Sequence, residues 1–229
     1  MAEPTIDAGA GAGAGAGTGA GAGRGAGTGA DAVALRTSPL AHLAERMRAA
    51  GVTGARGVTL TEWPFLTMVN LRVDPASEAA DRIEKTLGAP LPRQCGHTTT
   101  WGPQTVLWLG PDEWLVLSQA DNAAVAAELR EALGADPGSV VDVSANRTTL
   151  ELSGPAARAV LEKGCPLDLH PRAFGPGQAV STTVGPVAVL LWQVDDVPTY
   201  RLFPRSSFAD YLARWLIDAM SEYRAPEVP

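Results

Sequence analysis

Cysteine, aromatic rings and positive charge are all scarce in this chain of 229 residues, and no long apolar run is present. Two cysteines, Cys95 and Cys165, are too few to staple a fold large enough to bury its own core. They are expected to be free thiols in a reducing compartment. Eighteen Lys and Arg against 25 Asp and Glu leave a net charge of -7, with no basic cluster. Nucleic acids and anionic membranes are gripped by grouped cations that displace counterions, so neither is an expected partner. The longest apolar stretch, 184–194, is interrupted by Gly185, Pro186 and Gln193 and falls far short of the ~20 residues that span a bilayer. Met1-Ala2-Glu3-Pro4 opens acidic and runs into glycine, unlike a secretory signal. A soluble, cytoplasmic protein is expected.

Glycine is abundant but uneven: every odd position from Gly9 to Gly29 is glycine, mostly with alanine between. Alanine methyls bury too little surface to offset a backbone entropy cost of ~1–2 kcal/mol per residue, so 1–36 is expected to be a disordered tail. Strict alternation also misses the spacing of a dinucleotide-binding glycine loop. The body, 37–223, is expected to be one domain, followed by a flexible C-terminus, 224–229.

Within the body, Ser38-Pro39 reads as the N-cap of a helix carrying Leu40, Leu43 and Met47 and stopped by Gly51. Strands are expected at 58–62 and 67–73, then a helix opened by Asp74-Pro75 with Ala79, Ala80, Ile83 and Leu87 on one stripe. Strands 105–109 and 114–118 flank a four-residue hairpin loop, Gly110-Pro111-Asp112-Glu113. A helix over 122–133, capped by Asp121, buries Val125, Leu129 and Leu133. Strands 140–143 and 148–152 enclose a polar turn, and Gly154-Pro155 starts a helix that ends at Gly164. Strands 178–183, 187–193 and 199–203 follow. The last helix has Phe208, Tyr211, Leu212, Trp215, Leu216 and Ala219 on one stripe, read as core, and a capping-box-like Ser207 and Asp210. Strands in runs with helices between them indicate an α+β fold with mainly antiparallel sheets.

Catalytic chemistry is hard to place on these residues. His42, His97 and His170 are the only imidazoles. Cys95-Gly96-His97 and Cys165 with His170 could supply four soft ligands. The one-residue gap in the first pair is tighter than usual zinc-ligand spacing, and no metal site is expected. Asp112-Glu113 and Asp195-Asp196 fall in turns, where backbone hydrogen bonding explains them. Asp142 ends an apolar strand and is expected to pair with Arg147 or to cap the turn between them. Phosphate loops and nucleophile elbows are absent. No catalytic or cofactor-binding residue is therefore assigned.

The block Val141-Asp142-Val143-Ser144-Ala145-Asn146-Arg147-Thr148-Thr149-Leu150-Glu151-Leu152-Ser153-Gly154-Pro155 resembles the gamma subunit of heterotetrameric sarcosine oxidases. The likeness extends through Leu161 to Phe174, Leu191-Trp192-Gln193, Pro198 to Phe203 and Ser207 to Leu212, with Ser38-Pro39-Leu40 and Val69 to Arg72 upstream. More distantly, the central block is similar to the folate-binding domain of glycine-cleavage aminomethyltransferases, which implies split β-α-β units. The resemblance implies an accessory, structural subunit that assists oxidative demethylation of sarcosine to glycine without performing it. Alpha, beta and delta chains would be its partners, beta in direct contact. FAD, FMN, NAD, folate and zinc would belong to those partners and none to this chain. A free-standing folate-binding aminomethyltransferase-like protein is the alternative, and a binding module unrelated to oxidases is a third reading. Interfaces favour exposed aromatics and arginines. Trp63 and Trp101, expected in loops, are interface candidates with Asn146 and Arg147, for which a turn-stabilising role is the competing reading.

Overall fold

Alternating strand patterns and one-sided helical stripes build a layered body in the computed structural model, which describes residues 35–120 and 122–225. The glycine-alanine stretch, the Asp121 cap and 226–229 lie outside the described residues. The strands are β1 (Thr59–Trp63), β2 (Thr67–Val73), β3 (Thr98–Trp101), β4 (Gln104–Gly110), β5 (Glu113–Ser118), β6 (Gly138–Asp142), β7 (Thr149–Ser153), β8 (Gln178–Val184), β9 (Val187–Asp195) and β10 (Thr199–Pro204). The helices are α1 (Ala44–Ala50), α2 (Glu78–Leu87), α3 (Asn122–Leu133), α4 (Ala157–Glu162) and α5 (Ala209–Ala219).

Among the described residues the strands form two five-stranded sheets, ordered β1-β7-β10-β9-β8 and β3-β4-β5-β2-β6. Every pairing is antiparallel. Because β5 and β6 both pair antiparallel with β2, they run parallel to each other with β2 between them, and α3 connects them. The same logic places β2 and β4 on either side of β5, with α2 in the connection. Two interlocked split β-α-β units result.

Each sheet has one face for helices and one for the other sheet, because successive side chains alternate across a strand. Val69, Leu71 and Val73 of β2 meet Ile83 of α2 and Leu129 of α3. Leu60, Leu152 and Tyr200 of the other sheet meet Met47, Leu212 and Leu216 of α1 and α5. The remaining faces close on each other through Met68, Leu107, Leu115 and Leu117 from one sheet and Leu190, Trp192 and Phe203 from the other. The order is therefore helix, sheet, sheet, helix. Each fully buried Leu or Phe contributes about 1.5–3 kcal/mol by leaving water.

Two glycines permit close approaches. Gly154 sits at φ 122°, and a Cβ there would lie 2.5 Å from the Gly57 carbonyl oxygen. A Cβ on Gly164 would lie 2.5 Å from the Trp215 ring, so α5 could not settle at its observed distance.

Several local expectations are corrected. Ser38 does not cap the first helix: its Oγ donates to Glu62 at 2.6 Å, and a 3-10 turn at Ala41–Leu43 precedes α1. Asp74-Pro75 forms a turn, with Asp74 accepting from the Ala76 N–H, and Ser77 caps α2 by accepting from Ala80. The hairpin loop shrinks to Pro111 and Asp112, because Gly110 pairs with Glu113. The helix after Gly154-Pro155 begins only at Ala157 and is over at Glu162. Ser207 and Asp210 make no capping box; a 3-10 turn, Ser206–Phe208, leads into α5, and Asp210 bonds His42 and Arg214 instead. Of the last stripe's aromatics, Trp215 packs partly buried against the core as expected, but Phe208 and Tyr211 are half exposed; the buried residues are Ala209, Leu212, Ala213, Leu216, Ile217 and Ala219.

Candidate functional site

The strands β4, β5 and β9 run through the inter-sheet layer, and each contributes to a cavity at both of its ends. One cavity, about 480 Å³, takes Leu109, Leu115 and Leu190 from these strands together with Asn146, Arg147 and Arg205. The other, about 400 Å³, takes Thr105, Ser118 and Trp192 together with Arg201. Between them the layer is filled by side chains.

Arg201 lies on β10 between the buried Tyr200 and Leu202, and alternation turns it to the inner face. Register sets it opposite Glu151 of β7 and Trp192 of β9. Its Nε donates to Glu151 at 2.9 Å, with side-chain exposures of only 16% and 19%. Its guanidinium stands 3.9 Å from the Trp63 ring centroid and 5.3 Å from that of Trp192. A desolvated charge is tolerable when it is paired and hydrogen-bonded, and the two electron-rich ring faces add to that pairing. The Trp192 Nε1 and Thr149 Oγ1 are buried without a hydrogen-bond partner among the described residues. Beside this end, Trp63-Pro64-Phe65-Leu66 turns the chain from β1 into β2 with Phe65 at φ 60° and 46% exposed. This corner and Glu62 line a third cavity of about 460 Å³.

The opposite end is built on the turn after β6. Asp142 Oδ1 accepts from the Ser144 N–H at 2.9 Å and from its hydroxyl at 2.6 Å, which is the capping role expected of it. The Asn146 N–H donates to Val143 O, and Asn146 O accepts from the Ser206 N–H. Arg147 and Arg205 face each other as an antiparallel bridge. Arg147 donates from Nη1 to the Phe203 carbonyl at 2.7 Å. Burial, and then the Arg205 charge, hold its guanidinium below the usual arginine range. Among the described residues neither arginine has a carboxylate within ion-pair distance. Glu113 is the one acidic residue of that cavity wall, and it accepts from Asn70 at 2.8 Å.

The four interface candidates therefore do not form one face. Asn146 and Arg147 share a cavity; Trp63 belongs to the Arg201 end; Trp101, 65% exposed, lies over Gly88 at the end of α2. Both tryptophans close strands rather than occupy loops, Trp63 ending β1 and Trp101 ending β3. Arg201, Glu151 and Arg205 were not singled out from the sequence. Charges at Glu151 and Arg201 inside apolar strands were the available signal, since a half-buried charge needs a partner. Cys95 is exposed while Cys165 is buried, His97 bridges to Gln178, and His170 accepts from the Arg172 N–H. Among the described residues no three His, Cys, Asp or Glu come together as metal ligands. Nor is any described helix long and apolar enough to cross a membrane.

These features define a class: an α+β chain of two facing antiparallel sheets with a polar cavity at each end of the layer between them. A family model, the sarcosine oxidase gamma subunit family, matches residues 71–222, and the chain belongs to that family. Sarcosine oxidase subunit gamma of Corynebacterium sp. (strain U-96) is 47% identical over 199 residues, covering 86% of this chain and 96% of its own length. The counterpart from Arthrobacter sp. is 46% identical over the same span. Among solved structures, a chain of the heterotetrameric sarcosine oxidase from Corynebacterium sp. U-96 in complex with pyrrole 2-carboxylate superposes with a TM-score of 0.81 at 46% identity. That match covers 85% of this chain and all of the other. Glycine cleavage system aminomethyltransferase T from Bartonella henselae gives a TM-score of 0.58 at 18% identity, covering 80% of this chain and 57% of its own. That second likeness establishes the aminomethyltransferase-like fold and nothing of its chemistry.

Proposed function

We propose that this chain works as the gamma subunit of a heterotetrameric sarcosine oxidase, an accessory subunit that docks on alpha, beta and delta partners, with beta in direct contact. The observation that carries this reading is the 47% identity to a curated gamma subunit across nearly that protein's whole length. A second support is the inter-sheet layer, whose middle is closed by Met68, Leu107, Leu190 and Phe203. In this reading FAD, FMN, NAD, folate and zinc are held by the partner subunits. Sarcosine is demethylated oxidatively there to glycine, the methyl carbon leaves as formaldehyde or methylene-tetrahydrofolate, and oxygen is reduced to hydrogen peroxide. The free-standing aminomethyltransferase alternative rests on a fold likeness alone.

Co-expression of the tagged chain with its genomic neighbours tests the reading. Recovery of three further subunits with sarcosine-dependent peroxide formation is expected, and omission of this chain should leave an unstable or inactive remainder. A stable, fully active oxidase assembled without it would overturn the proposal.

A further inference from the structure

We propose that the cavity between Arg147 and Arg205 is a carboxylate-binding site, in which one anionic head sits between the two guanidinium groups and an apolar stem lies against Leu109, Leu115 and Leu190. Two observations carry this. The first is charge: two arginines face each other across a bridge, line one cavity, and have no carboxylate within ion-pair distance among the described residues. Arg147 is partly buried and Arg205 exposed beside it; like charges held together are unfavourable until an anion joins them, and planar guanidinium forks match a carboxylate in geometry. The second is the wall itself. About 480 Å³ is the size of a small-ligand site, and its apolar surface is accompanied by Asn146 and Ser181, which add hydrogen-bonding groups at the rim.

The charge count selects the ligand class. Two arginines and Glu113 leave the wall with a net charge of +1, which suits a monoanion better than a phosphate dianion. Glu113 is turned to Asn70 and lies within the field of Arg72, so it is already engaged. The carboxylate has two available sources: a free organic acid, or an acidic side chain of a partner subunit. The site stands on geometry, and only the second source rests on the subunit reading above.

Benzoate is the probe, with benzamide as its neutral match, titrated calorimetrically into the full chain and into Arg205→Gln. Arg205 is exposed, so this variant spares the fold; Arg147→Gln is the second variant. Benzoate should bind at least ten-fold tighter than benzamide and lose that margin in Arg205→Gln. Detectable but equal binding of the two probes overturns the site. The same titration on assembled wild-type and Arg205→Gln oxidase then separates the sources. A benzoate difference that persists in the assembly identifies a free acid. Its disappearance, with assembly weakened at least ten-fold by Arg205→Gln, identifies the partner's carboxylate, and so does that weakening alone where the free chain ignores benzoate. No benzoate binding together with unchanged assembly overturns the proposal. If the chain recovers no partners at all, the first titration decides the site: a benzoate preference lost in Arg205→Gln supports it, and no preference overturns it.

Discussion

The two ends of the inter-sheet layer treat their arginines in opposite ways. At one end Arg201 has a carboxylate at 2.9 Å and tryptophan rings at 3.9 and 5.3 Å, so its charge is answered within the chain. At the other, Arg147 and Arg205 face each other and the nearest described acceptor of Arg147 is a backbone carbonyl. The first arrangement is complete and belongs to the fold. The second leaves positive charge for something outside the chain to neutralise. The comparison teaches that residue type alone does not separate structural from binding arginines; the presence of an internal counter-ion does.

The sharpest way to break the comparison is to remove an internal counter-ion at one end and a cation at the other. Glu151→Ala leaves Arg201 half-buried and unpaired, and such a loss costs about 2–4 kcal/mol. Arg205→Gln removes one of two repelling charges at an exposed position and should change stability by no more than about 0.5 kcal/mol. Urea unfolding of both variants checks the pair. Equal losses would mean that the two ends are built alike.

Phe65 offers a smaller effect beside the complete end. A non-glycine residue at φ 60° carries about 1–2 kcal/mol of backbone strain, which glycine would not. Phe65→Gly should therefore be about 1 kcal/mol more stable than Phe65→Ala, because both lose the ring and only alanine keeps the strain. An alanine variant as stable as the glycine one would show that the corner relaxes out of the left-handed region.

Much of this was legible in the sequence where local pattern decides structure. The β2 boundaries, Thr67 to Val73, follow from alternation, and the α2 stripe follows from its i, i+3, i+4 spacing. Pattern failed at margins. Phe208 and Tyr211 fit the apolar stripe of the last helix yet sit on its exposed edge, because that helix is half covered and its small residues, Ala209 and Ala213, face inward. The strand β3 went unread because Thr98 to Trp101 is an edge strand, half exposed, with no buried alternation. Of the candidate site, Arg147 was found through its polar turn. Arg205 and the Glu151–Arg201 pair were not, since strands 50 residues apart meet only through sheet register.

A third arginine pair sharpens the lesson, because it has a counter-ion but no burial. Asp210 accepts from Arg214 Nε at 2.6 Å and lies 2.5 Å from His42 Nε2, joining α5 to the turn before α1. Hydrogen bonds from Arg214 and then His42 bring its carboxyl down to about 2. A depressed carboxylate pKa stabilises the fold at every pH above the unfolded value of ~3.9, and that contribution fades as pH falls towards 2. Asp210→Asn should therefore lower stability slightly at neutral pH and converge with the wild type between pH 4 and 2. Because the pair is exposed to water, its effect should be the smallest of the three and should shrink with added salt. If Asp210→Asn cost as much as Glu151→Ala, or if the difference survived unchanged to pH 2, burial would not be what distinguishes these pairs. The weight given to the enclosed, unanswered Arg147 would then fall with it.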